Sequence, residues 1–282
     1  MALKVGEIHY ANMRPFFEYI DRNKCRTEGM TFIRDVPAQV NEHLATGAVD
    51  VAAISSFSYG MHANEYVLLP DLCVSSAGAV HSLLLFSKVP LPSLSGNKVA
   101  LTTSSETTVH LLKLILKQFY QVDVTYQLMR PQLREMLRDH EAALLIGDDA
   151  IVARAQSIAP YVYDLGELWY QWTGLPMTYA LFAVRKAVAY EKSTLVSALY
   201  KQFRESYTEA RTNVYAQLSK KMATNHRVAR PFWQQYFRDL CYEWSAPQQK
   251  GLLYYFQLCY EEGFIPNRVS RIEEWGTVGT QS

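Results

Sequence analysis

Short apolar runs separated by turn residues dominate the first two thirds of this chain, and apolar positions at helical spacing dominate the last third. Leu3 to His9, Met30 to Val36 and Val49 to Ile54 read as strands, the last rich in small residues. Between them, Asn12 to Ile20 is predicted to form a short helix that tolerates Pro15 in its first turn. Pro37 opens a helix with Val40 and Leu44 on one face, and Gly47 closes it. Ser55 to Met61 starts another. Strands alternating with helices over short links imply a largely parallel sheet covered by helices.

Two further β-rich runs, Val67 to Val74 and Ala79 to Phe86, precede Lys88 to Asn97. That stretch is rich in Pro, Ser and Gly and is the clearest boundary in the chain. A second βα series follows. It comprises a strand at Lys98 to Leu101, then a helix with Thr108, Leu111, Leu112, Ile115 and Phe119 on one face. After it come a strand at Val122 to Leu128, a helix from Pro131 to about His140, and a strand at Ala142 to Ile146. Gly147 and Asp148 then enter another helix, and Tyr161 to Tyr163 and Tyr179 to Val184 read as strands. Beyond Ala187, Leu195, Leu199 and Phe203 recur every four residues, and helices are expected near 211 to 222, 226 to 241 and 247 to 262. Gly263 and Pro266 stop the last one, and the tail at 276 to 282 is polar. The pattern predicts two α/β lobes with a ligand cleft between them. Residues 1–88 and 186–282 make the first lobe, and 89–185 are inserted as the second.

Composition narrows the class. Of 282 residues 49% are hydrophobic, which suits a globular protein of one large or two smaller cores. Twenty-eight basic and 27 acidic side chains leave a formal charge of +1, which argues against a nucleic-acid binder. The small basic group of Lys220, Lys221, Arg227 and Arg230 reads as a solvated helix face. Cys25, Cys73, Cys241 and Cys259 have neither C-x-x-C nor metal-ligand spacing with histidine, so free thiols are expected and no metal is assigned. The start of the chain has no apolar signal core, and apolar runs such as Leu83 to Phe86 are too short to cross a bilayer. A soluble cytoplasmic protein is expected, with no membrane partner.

In open α/β sheets ligands meet the carboxyl ends of strands. Four polar turns fall there: Asn12, Ser55-Ser56, Thr102 to Thr108, and Gly147-Asp148. The third joins hydroxyl donors to the free N–H groups of a helix start, which makes a cradle for an anion. A capping box of Thr103 and Glu106 explains the same residues without a ligand. The absence of a glycine-rich phosphate loop favours a carboxylate over a nucleotide. His81 and Ser82 should point to opposite faces of their strand, so one of the two faces the cleft. Trp169, Tyr170 and Trp172 read as packing.

The run Gly6 to Pro15, a strand ending in an aromatic followed by Asn, a variable pair and Pro, resembles the N-terminal signature of the chorismate dehydratases of the futalosine route to menaquinone. Asp50 to Ser56, Gly78 to Lys88, Leu101 to Leu112 and Leu144 to Ala150 are similar to that family in the same order. The resemblance covers residues 3 to 186, while the C-terminal helices are compatible but undiagnostic. It implies the two-lobe fold of type II periplasmic binding proteins. It also implies loss of water from chorismate, with no metal or redox cofactor. Asn12, Ser82 and Asp148 are then candidate catalytic contacts. Asn12 would assist the leaving hydroxyl, and Asp148 would be either a general base or the N-cap of its helix. Ser55, Ser56, Ser105, Thr107, Thr108 and Gly147 would hold the two carboxylates, and Arg14 would pair with one of them. A non-catalytic carboxylate-binding protein is one alternative. The sister 1,4-dihydroxy-6-naphthoate synthase is another, but Gly147-Asp148-Asp149 lacks the histidine expected there. An aromatic-acid-sensing regulator would carry an attached helix-turn-helix.

Overall fold

The computed structural model describes residues 2–276, so most of the polar tail lies outside the described residues. Among the described residues the strands form two five-stranded sheets. The first contains β1 (Leu3–Ile8), β2 (Met30–Asp35), β3 (Val51–Ser55), β4 (Tyr66–Ser76) and β10 (Met177–Arg185), in the order β2-β1-β3-β10-β4. The second contains β5 (Leu83–Ser87), β6 (Lys98–Thr102), β7 (Thr125–Met129), β8 (Ala142–Ile146) and β9 (Tyr161–Asp164), in the order β7-β6-β8-β5-β9. In each sheet three strands run parallel, as the βα pattern predicts, and a fourth returns antiparallel beside them. The two lobes therefore repeat one topology.

The returning strands correct the expected lobe boundaries. The expected boundaries put β5 in the first lobe and β10 in the second, yet each sits in the opposite sheet. The Pro-rich stretch at 88–97 is a surface connection inside the second lobe, carrying the 3-10 turn Leu91–Leu94 between β5 and β6. The chain changes sheets instead at 77–82 and again just before Met177. The first crossing is tied down by Asp164. Its carboxylate accepts from the N–H groups of Val80 and His81 and caps the Leu165–Thr173 helix through Gly166 and Glu167. His81 sits at φ +62°, and its Nε2 lies 2.6 Å from Asp239 Oδ2.

Local structure follows the sequence with some contraction. The helix predicted from Asn12 splits into a 3-10 turn, Ala11–Met13, and the short helix Arg14–Phe17. The helix after Pro131 shrinks to Leu133–Met136. Pro37–Thr46 ends at Gly47 in the left-handed region, as expected. The Ser193–Thr212 helix packs on the first lobe, while the Ala246–Glu261 helix touches both lobes. Phe203 meets Phe17 and Phe182 at ring distances of 5.1 and 4.8 Å, and Ser206 Oγ donates to the Pro15 carbonyl. They thereby brace the segment that carries Asn12. Cys25, Cys73, Cys241 and Cys259 are free thiols.

Candidate active site

The parallel strands of both sheets end at one place. β1 runs out into Tyr10 and Asn12, β3 into Ser55, β6 into Ser105 and β8 into Gly147, and these residues line a cavity of about 60 Å³ between the lobes. Met13, Pro37 and Tyr179 complete the wall of the first lobe, and Ser82, Thr107 and Thr108 that of the second. Seven of the ten candidate residues thus come together: Asn12, Ser55, Ser82, Ser105, Thr107, Thr108 and Gly147.

The wall is built from donors. Four helices begin at it: Pro37–Thr46, Ser56–Met61, Glu106–Leu114 and Gly147–Ala155. Each brings the partial positive charge of its N-terminus. The hydroxyls are arranged so that their lone pairs are largely spoken for. Ser55 Oγ accepts from Asn41 Nδ2 at 3.1 Å and from the Ser58 N–H at 3.3 Å. Ser82 Oγ accepts from the Tyr236 hydroxyl at 3.2 Å and donates to the Val80 carbonyl at 3.3 Å. Ser105 Oγ accepts from the Thr108 N–H and sits 3.1 Å from Thr108 Oγ1. Thr107 Oγ1 accepts from the Phe57 N–H across the lobes at 2.8 Å. The Ser55 and Thr107 hydroxyls accept in these contacts, which leaves their protons for a ligand. Asn12 Oδ1 is buried with no partner.

No Asp, Glu, His, Lys or Arg among the described residues lines this cavity. The titratable groups in the wall are Tyr10 and Tyr179. Burial, with Asp149 adding to it, pushes the Tyr10 phenol up to about 12, and burial raises Tyr179 as well. Neither phenol ionises near neutral pH. The site can donate hydrogen bonds to an anion, and it holds no strong protein base.

Three candidate residues stand elsewhere. Ser56 is fully buried and donates to the Thr178 carbonyl at 2.7 Å, which joins β10 to the Ser56–Met61 helix. Arg14 pairs with Glu18 at 3.4 Å, one turn along its own segment. Asp148 turns away from the cavity: Oδ1 accepts from the Ala11 N–H at 3.1 Å and Oδ2 lies 3.4 Å from His226 Nε2. It is not the N-cap either, because that position falls to Ile146, which makes no side-chain cap. The expected capping box moves too. β6 runs through Thr102, so the helix starts late and Ser105, not Thr103, caps it. Ser82 lines the cavity and His81 does not, but β5 begins only at Leu83, so the left-handed φ of His81 and not strand alternation turns the two apart. Trp169 is buried against Tyr254 and Tyr255 and packs as expected, whereas Trp172, stacked on Phe119, and Tyr170 are exposed.

Tyr10 and Tyr236 were missed as site residues. Tyr10 was visible as the aromatic that ends the first strand. Tyr236 carried no local sign, since an aromatic on an amphipathic helix reads as core.

The repeated sheet order and the cleft between the two sheets define a class, that of the periplasmic-binding-protein-like folds. A protein of Archaeoglobus fulgidus superposes with a TM-score of 0.74 at 18% identity, covering 94% of this chain and 98% of its own. The periplasmic aliphatic sulphonate binding protein SsuA of Escherichia coli follows at 0.71 and 15%, covering 100% and 94%. Sequence relationship narrows the class: the chain belongs to the menaquinone biosynthesis family, which matches residues 3–261. It is 34% identical over 263 residues to the chorismate dehydratase of Thermus thermophilus, covering 88% of this chain and 92% of that protein. It is 26% identical over 171 residues to the 1,4-dihydroxy-6-naphtoate synthase of the same organism, covering 61% and 60%. Among the described residues no helix is long and apolar enough to cross a membrane.

Proposed function

We propose that this protein is a cytoplasmic chorismate dehydratase, converting chorismate to 3-[(1-carboxyvinyl)oxy]benzoate. The observation that carries the reading is the likeness to the Thermus dehydratase over 88% of this chain, beside a family match at residues 3–261 that takes in every residue lining the cavity. The chemistry of the wall agrees with it. Chorismate is a dianion, and two carboxylates suit a cleft of hydroxyls and helix starts. The Ser105, Thr107 and Thr108 wall would hold one carboxylate, and the Ser55 and Ser82 side would face the other.

The reaction breaks the C–H bond on the ether-bearing ring carbon and the C–O bond of the ring hydroxyl, and the ring becomes aromatic. With no strong base in the wall, the enolpyruvyl carboxylate of the substrate takes the proton while the protein holds it in reach. The Asn12 amide donates to the departing hydroxide, which leaves as water once that proton reaches it. The elimination is redox-neutral, so its balance calls for no redox cofactor. The dihydroxynaphthoate synthase alternative needs a protein base at the cleft, and its relative matches a shorter part of the chain.

Purified protein incubated with chorismate should produce an aromatic acid lighter by one water, read by mass and by the change in ultraviolet absorbance. Folded protein that is stabilised by chorismate but leaves it intact would instead be a binding protein.

Tyr236 adds a second expected result. Tyr236→Phe removes one donor to Ser82 with little change of shape, and kcat/KM for chorismate should fall about fivefold to tenfold. In a Ser82→Ala background the same change should cost almost nothing further. Equal losses in both backgrounds would separate Tyr236 from Ser82.

A further inference from the structure

We propose that Asp148 is a positioning residue which reaches from the second lobe to hold the Ala11–Met13 turn, and with it Asn12, in register with the cavity. The proposal rests on the dehydratase reading for its kinetic consequence only. The contact itself joins residues far apart in sequence: Asp148 Oδ1 accepts from the Ala11 N–H at 3.1 Å. Ala11 immediately precedes Asn12, whose Oδ1 is buried and unpartnered at the cavity. The 3-10 turn there has no side-chain cap of its own. The carboxylate of Asp148 therefore supplies from the second lobe the acceptor that the first lobe does not.

The adjoining residue performs the matching task on the other candidate contact. The Gly147 N–H donates to the Ser82 carbonyl at 2.7 Å. One two-residue turn thus registers Ser82 within the second lobe and, only while the lobes meet, Asn12 across the junction. His226 Nε2 holds the second oxygen of Asp148 at 3.4 Å. Arg14 and His9, on the first lobe, also stabilise the carboxylate, whereas neighbouring Asp149 and buried Tyr236 each gain negative charge less readily beside it. Burial nonetheless pushes the pKa of the Asp148 carboxyl above its ordinary value. Such a group is costly to place in a lobe junction unless its hydrogen bonds are used.

Three variants separate positioning from proton transfer. Asp148→Asn keeps an oxygen for the Ala11 N–H and removes the charge. Asp148→Ala removes both. Ala11→Pro removes the N–H and adds ring carbons at a fully buried position, with a backbone at the first residue of the turn and after an extended Tyr10 that tolerates proline. Hydrogen exchange over residues 10–13 and the kcat and KM for chorismate are measured on each. Asp148→Ala should lower kcat at least about tenfold with a smaller change in KM, and exchange at the turn should rise. Asp148→Asn should restore protection and bring kcat to within about threefold of the parent. Ala11→Pro should match Asp148→Ala in kcat, and the two losses should not add. Asn failing as completely as Ala, with the turn still protected, would overturn positioning in favour of a side-chain base. Unaltered exchange and kcat in Asp148→Ala would overturn it outright. If the parent protein does not dehydrate chorismate, the exchange results still decide the contact, and only the functional reading falls. Should Asp148→Ala not fold, Asp148→Asn and Ala11→Pro decide between the same outcomes.

Discussion

Replacing Asn12 with alanine should lower kcat/KM for chorismate by about two to three orders of magnitude, the usual cost of losing one aligned donor to developing charge. The same variant should not lose stability. Asn12 Oδ1 is buried without a hydrogen-bond partner, so that oxygen adds no hydrogen bond to the fold. A buried polar group left unsatisfied costs about 1–3 kcal/mol, and its removal returns part of that. The expected signature is a melting temperature equal to or above that of the parent with activity nearly gone. Opposite movement of stability and activity marks a side chain kept for its ligand rather than for the fold. A variant that melts several degrees lower and still turns over would make Asn12 a turn residue preceding Pro15 and nothing more. Both quantities are read on one preparation, by a thermal melt and by the chorismate assay.

Most of the fold was legible because its elements are punctuated. Pro37 and Gly47 bracket a helix with Val40 and Leu44 on its buried face, and the structure places that helix between them. What misled was the sense of individual strands. β5 and β10 are apolar on both faces, like the parallel strands beside them, and nothing local distinguishes a strand that returns antiparallel from one that continues. Turn chemistry is loudest at the Pro-rich stretch, which therefore reads as the boundary. The true crossing at 77–82 is marked by a single carboxylate, Asp164, more than eighty residues away in sequence.

The cavity was legible to the extent that it is made of turns. Asn12, Ser55, Ser105 and Gly147 each follow a strand, and in a doubly repeated parallel sheet all such positions converge. Direction within a turn was not legible. Asp148 follows a strand as directly as the others do, yet Gly147 takes φ +61° and swings the next side chain to Ala11. Contacts between distant segments escaped for the same reason. Tyr236 reaches Ser82 across 154 residues, and only packing brings them together.

Gly147 supports the second large expected effect. Its φ of +61° lies in the left-handed region, which costs a residue bearing a Cβ about 1–2 kcal/mol. A methyl group there would also sit 2.8 Å from Cδ2 of Tyr10, on the opposite lobe. The ring is half-buried and is part of the cavity wall, so the added group acts as a wedge between the lobes. Overpacking of this kind costs about 1–3 kcal/mol more. Gly147→Ala should therefore destabilise the protein by about 2–5 kcal/mol and weaken chorismate binding at least about tenfold, because the lobes no longer meet at that point. Urea denaturation and a binding titration measure the two effects. The two causes separate in a Tyr10→Ala background, where the space is free but the backbone conformation is unaltered. There Gly147→Ala should cost only about 1–2 kcal/mol, the backbone part alone. An identical cost in both backgrounds would show that the tyrosine ring yields freely, and that closure of the lobes does not depend on how closely Tyr10 approaches Gly147.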